Sequence, residues 1–216
     1  MRILAFESSA KAASVALTED GRLVAEYFEN SGLTHSRTLM QMAADLLRSC
    51  DVAPEGVDAV AVAAGPGSFT GVRIGVAAAK GFAWGREIPC FGVSTLEAMA
   101  FAAGRARGLL CAVMDARRGE VYNALFDAAP DGPVRRTPDR AISLAQLGEE
   151  LKNIEKEKIV LGDGGLLCYT TLSGQVEDLC LLPEHLRQQR ASGVALAAER
   201  LAAAGLRPSA GELVPN

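Results

Sequence analysis

Histidine is nearly absent from this chain. Only His35 and His185 occur, and the five cysteines include no C-x-x-C pair. Zinc and related metal centres draw on clustered His and Cys ligands, so the residues for such a site are missing. The same scarcity deprives a serine or cysteine nucleophile of its usual base, and no G-x-S-x-G elbow is present. Aromatic residues make up 5% of the chain, so its core must rest on alanine and small aliphatic side chains that let backbones approach closely. Basic residues number 22 against 26 acidic ones, which argues against direct phosphate-driven binding to nucleic acid. The densest basic group, Arg105, Arg107, Arg117 and Arg118, comes with no aromatic platform for bases. No apolar run approaches the roughly 20 residues of a membrane-spanning helix. The opening "MRILAFESS" has too few apolar residues before Glu7 for a secretory signal. Cys50, Cys90, Cys111, Cys168 and Cys180 are odd in number and read as reduced, partly buried thiols. These absences predict a soluble, cytoplasmic chain without a metal or other cofactor and without a membrane partner.

What is present is order. Apolar residues reach 49%, which excludes intrinsic disorder, and 216 residues suffice for one large domain or two small ones. Residues 2–7, 13–18 and 22–28 read as an antiparallel meander, with "EDG" as a tight turn between the second and third strands. A helix is expected over 34–50, capped by Thr34 or Ser36, from the helical spacing of Leu39, Met42, Ala43, Leu46, Leu47 and Cys50. The wholly apolar "VDAVAVAAG" (57–65) predicts a strand buried on both faces. A helix over 70–84, a strand over 88–94 and a helix capped by Ser94 over 94–104 follow. The second half restarts with strands at 109–116 and 120–127, and the stretch 128–142 holds a weaker strand or a loop. A Ser143-capped helix (143–153), a strand (158–165) and a final helix (192–205) stopped by Gly205 complete the chain. Both halves thus read strand, strand, candidate strand, helix, strand, helix. Each first strand ends on an acid, Glu7 or Asp115, expected to cap the turn that follows. Such a duplication is the layout of the two-lobed actin-like, sugar-kinase and Hsp70 ATPase class. The lobes are expected at 1–104 plus 191–216 and at 105–190.

The glycine stretch "GPGSFTGVRIG" (65–75) has the look of a phosphate loop, yet its register fails both fingerprints. No Lys-Ser/Thr pair follows as in G-x-x-x-x-G-K-[ST], and Gly65, Gly67 and Gly71 are one residue too widely spaced for G-x-G-x-x-G. The glycines therefore read as clearance for a tight strand-to-helix crossing, with an anion held at the helix N-terminus beside Arg73 as the minor reading. The helix they launch is apolar nearly all round, so burial on nearly every side is expected. Small residues at Gly75, Ala78 and Ala79, with Arg73, Val76 and Phe82, offer a surface for another helix. His35, Leu39, Met40, Ala44 and Leu47 on the 34–50 helix extend it. These eleven residues are the candidate partner interface.

Five stretches, "ILAFESSAKAASVAL", "THSRTLMQMAADLL", "VDAVAVAAGPGSFTGVRIGVAAAKGFA", "GVSTLEAMA" and "MDARRGEVYNALF", together resemble the TsaB family. The resemblance covers most of residues 2–127 and loosens beyond. It implies the two-lobed fold and a non-catalytic dimerisation subunit for threonylcarbamoylation of adenosine in ANN-decoding tRNAs. It further implies pairing with TsaD, the catalytic paralogue, recruitment of the ATPase TsaE through the complex, a homodimer when alone, and only indirect contact with tRNA. TsaD holds its metal through a helix reading V-N-H-L-E-G-H. Here the matching "VSTLEAM" puts Thr95 and Met99 in the histidine places, neither a substitute for imidazole. The family's P-x-Y-[LIV]-R tail is also expected, and this sequence reads "ELVPN" there. The competing reading is an enzyme of the same superfamily, an ATP-dependent phosphotransferase or a metallopeptidase-like protein. A third is a self-associating structural protein.

Overall fold

The structure, a computed structural model, describes residues 1–104 and 107–216. Arg105 therefore lies outside the described residues. The chain forms two units, Met1–Ala98 with Gln189–Asn216, and Met99–Gln188.

The first unit starts with β1 (Arg2–Glu7), β2 (Ala13–Glu19) and β3 (Arg22–Glu29), an antiparallel meander. Asp20 and Gly21 turn it with φ of 50° and 75°, the left-handed pair that matches strand twist in a two-residue hairpin. Next come α1 (His35–Ser49), β4 (Ala59–Gly65), α2 (Phe69–Trp84), β5 (Cys90–Ser94) and α3 (Thr95–Ala102), whose second half, from Met99, belongs to the second unit. Thr34 occupies the N-cap of α1 but makes no side-chain cap bond, whereas Ser68 caps α2 and Ser94 accepts the Glu97 amide. The five strands lie in the order β3-β2-β1-β4-β5, with β4 parallel to both β1 and β5. β4 is buried along its whole length, as its unbroken apolar run requires. Strand pleating splits the core in two. Leu4, Phe6, Val15, Leu17, Val60 and Val62 pack with α1 and α2. The alternate residues point to the opposite face.

The second unit holds β6 (Leu109–Arg117), β7 (Glu120–Asp127), β8 (Val134–Arg135), β9 (Arg140–Ser143), α4 (Leu144–Lys152), β10 (Lys158–Leu161), α5 (Gly165–Leu172), β11 (Leu179–Leu181) and α6 (Glu184–Arg187). Its sheet order is β11-β10-β6-β7-β8, with β9 also on β7. β10 runs parallel to β6 and β11 parallel to β10. Each unit therefore repeats one plan: an antiparallel pair extended outward, and two parallel strands added on the other side of the first strand. The segment 128–142 resolves into two short strands, β8 and the start of β9, both on β7. Sequence reading does not anticipate α5, β11 or the short α6. α5 follows glycines that sequence reading treats as a strand end, and β11 has only three residues.

The chain returns to the first unit through α7 (Ala191–Ala203), which packs on β1, β2 and β4. Its buried Ala191, Gly193, Val194, Ala195, Ala197, Ala198 and Ala202 are small, which sets the backbone close to the sheet. Glu26 and Ser14 anchor its first turn, accepting the amides of Ser192 (2.9 Å) and Ala191 (3.2 Å). Gly205 ends it with φ of 87°.

Candidate partner-binding face

The glycine stretch leaves β4 through a cis Gly65–Pro66 bond and enters α2 under the Ser68 cap. Its clearance serves the chain itself. A side chain at Gly67 would meet the Ser9 carbonyl at 2.6 Å. One at Gly71 would collide with the Ser8 carbonyl, whose hydroxyl also donates to the Gly71 carbonyl (3.0 Å). At Gly75 a Cβ would stand 2.5 Å from the Ser8 hydroxyl and 3.2 Å from Val62. The turn after β1 is thus wedged against the first two turns of α2. Glu7 ends β1 and accepts the Ser9 amide (2.6 Å), capping the next turn, whereas Asp115 lies inside β6, two residues before its end, and accepts the Arg117 amide (2.7 Å) across a register shift.

The expected burial of α2 on nearly every side is corrected by the structure. One face, Gly71, Val72, Gly75, Val76, Ala79, Phe82 and Ala83, meets the sheet. The opposite face is open: Phe69 is 72% exposed and Trp84 68%, with Thr70, Arg73, Ala77 and Gly81 exposed between them. The guanidinium of Arg73 lies 3.4 Å from the centroid of the Phe69 ring and donates to the Phe69 carbonyl, so the two side chains form one flat surface. Lys80 is tied to the Leu213 carbonyl at 3.0 Å. Beside Trp84 a cavity of about 620 Å³ opens between the end of α2, Ile88, Pro89 and Pro208.

The candidate interface residues separate accordingly. Met40, 45% exposed, and Ala44 and Arg73 are on the surface, while His35 and Ala78 are half-buried. His35 shares a hydrogen bond of 2.8 Å with the Ala10 carbonyl. Leu39, Leu47, Gly75, Val76, Ala79 and Phe82 lie inside the unit's own core, with Ser8 taking the space at Gly75. Sequence reading missed Phe69 and Trp84 because α2 is apolar on both faces and its pattern does not say which face is outward. The positions of Phe69, Arg73, Ala77 and Gly81, each a helical turn apart on one ridge, carry that signal once the Ser68 cap fixes the start.

Thr95 and Met99, on one side of α3, are both buried. Among the described residues no group of three or more His, Cys, Asp or Glu side chains is placed to hold a metal ion. No helix among them is long and apolar enough to cross a membrane. Arg107, Arg117 and Arg118 are exposed, the latter two at the β6–β7 turn.

A protein of Bacillus subtilis (strain 168) named "tRNA threonylcarbamoyladenosine biosynthesis protein TsaB" is 38% identical to this chain over 162 residues, 75% of the chain and 71% of that protein. The chain belongs to the TsaB family. The model of the TsaD family, described as tRNA N6-adenosine threonylcarbamoyltransferase, matches residues 29–156, so this TsaB chain shares that domain. Among solved structures, YeaZ from Pseudomonas aeruginosa is 26% identical with a TM-score of 0.82, covering 100% of this chain and 98% of its own. ROK hexokinase from Thermus thermophilus, 11% identical with a TM-score of 0.51 over 94% of this chain and 100% of its own, shares the fold. The TsaB chain thus has the duplicated α/β architecture of the actin-like and sugar-kinase class.

Proposed function

We propose that this chain acts in the synthesis of threonylcarbamoyladenosine in tRNA as a non-catalytic subunit that pairs with a TsaD-type paralogue. The observation that carries this reading is the open apolar face of α2, bearing Phe69 and Trp84 on a member of the TsaB family. Two large aromatics held in water on a rigid helix cost free energy that a partner recovers by covering them, and such anchors dominate interface energetics. The buried Thr95 and Met99 support a non-catalytic role, since the paralogue's metal chemistry needs imidazole there. In this reading Met40 and Ala44 of α1, with the exposed residues of α2, form the contact surface. The ATPase TsaE joins through the assembled complex, the tRNA is held mainly by the partners, and the work is done in the cytoplasm.

Co-purification with TsaD, followed by tRNA modification in the reconstituted mixture, tests the proposal. Phe69→Ala with Trp84→Ala is expected to weaken pairing at least tenfold and to lower tRNA modification in parallel, with the thermal midpoint of the isolated chain unchanged. Intact pairing in the double variant would remove the assignment. Calorimetry with ATP and magnesium addresses the enzyme reading, and turnover by the isolated chain would establish it.

A further inference from the structure

The second unit carries a cavity of about 480 Å³ between the segments that lead into β10 and β11. Its walls are set by backbone. Lys158 and Leu179 pair at the start of the two parallel strands, and the Lys158 amide donates to the Asp178 carbonyl (2.8 Å). The amides of Gln175 and Val176 both donate to the Leu172 carbonyl (2.9 Å) at the end of α5. Opposite charges line this cavity without meeting. Lys158 is 3% exposed, and among the described residues its ammonium makes one hydrogen bond, to the Glu177 backbone carbonyl (2.9 Å). An ammonium has three protons to donate. It forms no ion pair with a described carboxylate. Glu155, Glu177 and Asp178 are exposed and line the same cavity, and among the described residues they have no ion-pair partner either. Lys152 lines it too but is held by Glu149 at 2.6 Å. A buried charge is costly unless a counter-charge reaches it, and here the fold keeps the two sets apart.

We infer that this cavity binds a free α-amino acid as its zwitterion. The ligand's carboxylate accepts from the two remaining N–H groups of Lys158, and its ammonium faces Glu155, Glu177 and Asp178. A small side chain rests on Ile154, the half-buried apolar residue of the lining. One molecule thus neutralises both sets of charge, through charge-assisted hydrogen bonds. A simple anion would satisfy Lys158 but stand among three carboxylates, and a simple cation would meet the reverse problem. A peptide terminus carries only one of the two charges, so the free amino acid is the class that fits. The volume is that of a small-molecule site, and walls held by backbone hydrogen bonds keep the cost of ordering low.

The test is an amide NMR titration of the full-length, isotope-labelled chain. The probes are L-alanine and its two halves, propionate and ethylammonium. L-Alanine is expected to shift the amides of Lys158 and of residues 175–178 saturably, and to bind at least tenfold tighter than either half. Lys158→Met is expected to abolish these shifts. A triple variant, Glu155→Gln with Glu177→Gln and Asp178→Asn, changes only exposed positions and leaves Lys158 in place. Asn tolerates the φ of 52° found at Asp178. This variant is expected to lose L-alanine and to gain propionate, a reversal of preference that a folding defect would not produce. Equal binding of propionate and L-alanine to the parent would make this an anion site and overturn the inference. Unchanged L-alanine binding in the triple variant would overturn it too. So would shifts confined to other amides, or none at about 10 mM L-alanine.

Discussion

A glycine's side-chain space can be filled by a neighbour in the same chain or left open, and α2 contains both kinds. Gly75 is the internal kind: Ser8 and Val62 fill the space where a side chain would go. Gly75→Val would force the β1–β2 turn away from α2, an overpacking that costs roughly 1–3 kcal/mol. The expected outcome is a thermal midpoint lowered by about 2–12 °C for a chain of this size, read by differential scanning calorimetry. An unchanged midpoint would mean that the turn gives way freely and that the wedge of Ser8 against α2 is unimportant. The sequence shows Gly75 plainly but not its neighbour, because Ser8 arrives from another part of the chain. Composition marks the need for close approach, and only the tertiary structure says what approaches.

At the scale of elements, helices with a cap and a periodic apolar stripe are legible from their residues. α4 begins after Ser143, whose hydroxyl accepts the Gln146 amide, and the sequence places both. The outward side of α2 is not legible, since its pattern carries apolar residues on both faces. α5 is hidden for a similar reason: "GGLLCYTTL" is short and has β-branched residues at its end. The weak strands of the second unit are held by charges that pattern reading does not weigh. Asp127, at the end of β7, binds Arg136 beyond β8 and Lys156 ahead of β10. Burial raises its carboxyl, but the hydrogen bonds from Lys156 and Arg136 outweigh that and leave its pKa below the ordinary value. A carboxylate with a lowered folded-state pKa contributes stability above its unfolded value and loses it as pH falls through the folded one. Asp127→Asn is therefore expected to cost about 0.5–1 kcal/mol at neutral pH in urea unfolding, a difference that closes in acid and shrinks with salt. A gap of equal size at every pH would show that packing, not charge, is lost.

Across the whole molecule the five thiols report on both units at once. Cys180 is exposed and Cys50 half-buried, while Cys90, Cys111 and Cys168 are buried. Burial pushes the Cys90 thiol up to about 11, and the hydrogen bond with Cys168, together with burial, raises Cys111. Thiolate is the reactive form, so Cys90 and Cys111 are protected twice, by access and by protonation, whereas Cys168, lowered by its hydrogen bond with Cys111, is protected by burial alone. Titration of the native chain with Ellman's reagent is expected to give a fast reaction at Cys180, a slow one at Cys50 and none at the other three until denaturant is added. Rapid reaction of Cys111 or Cys168 in native buffer would show that the core of the second unit opens. The repeated order of strands and helices was readable from the periodicities of each half. Its closing member is expected in the first lobe, but nothing in "SGVALAAERLAAAG" says that it lies on β1, β2 and β4.

That late helix sets a schedule for the nascent chain. The second unit, Met99–Gln188, is continuous and can gather its core as it leaves the ribosome, while the first unit waits for Gln189 onward. At 5–20 residues per second the delay is roughly 5–20 s. During it the sheet face that awaits α7 stands uncovered. The unit made first is therefore finished last, and its alanine-lined face is where a chaperone would be needed.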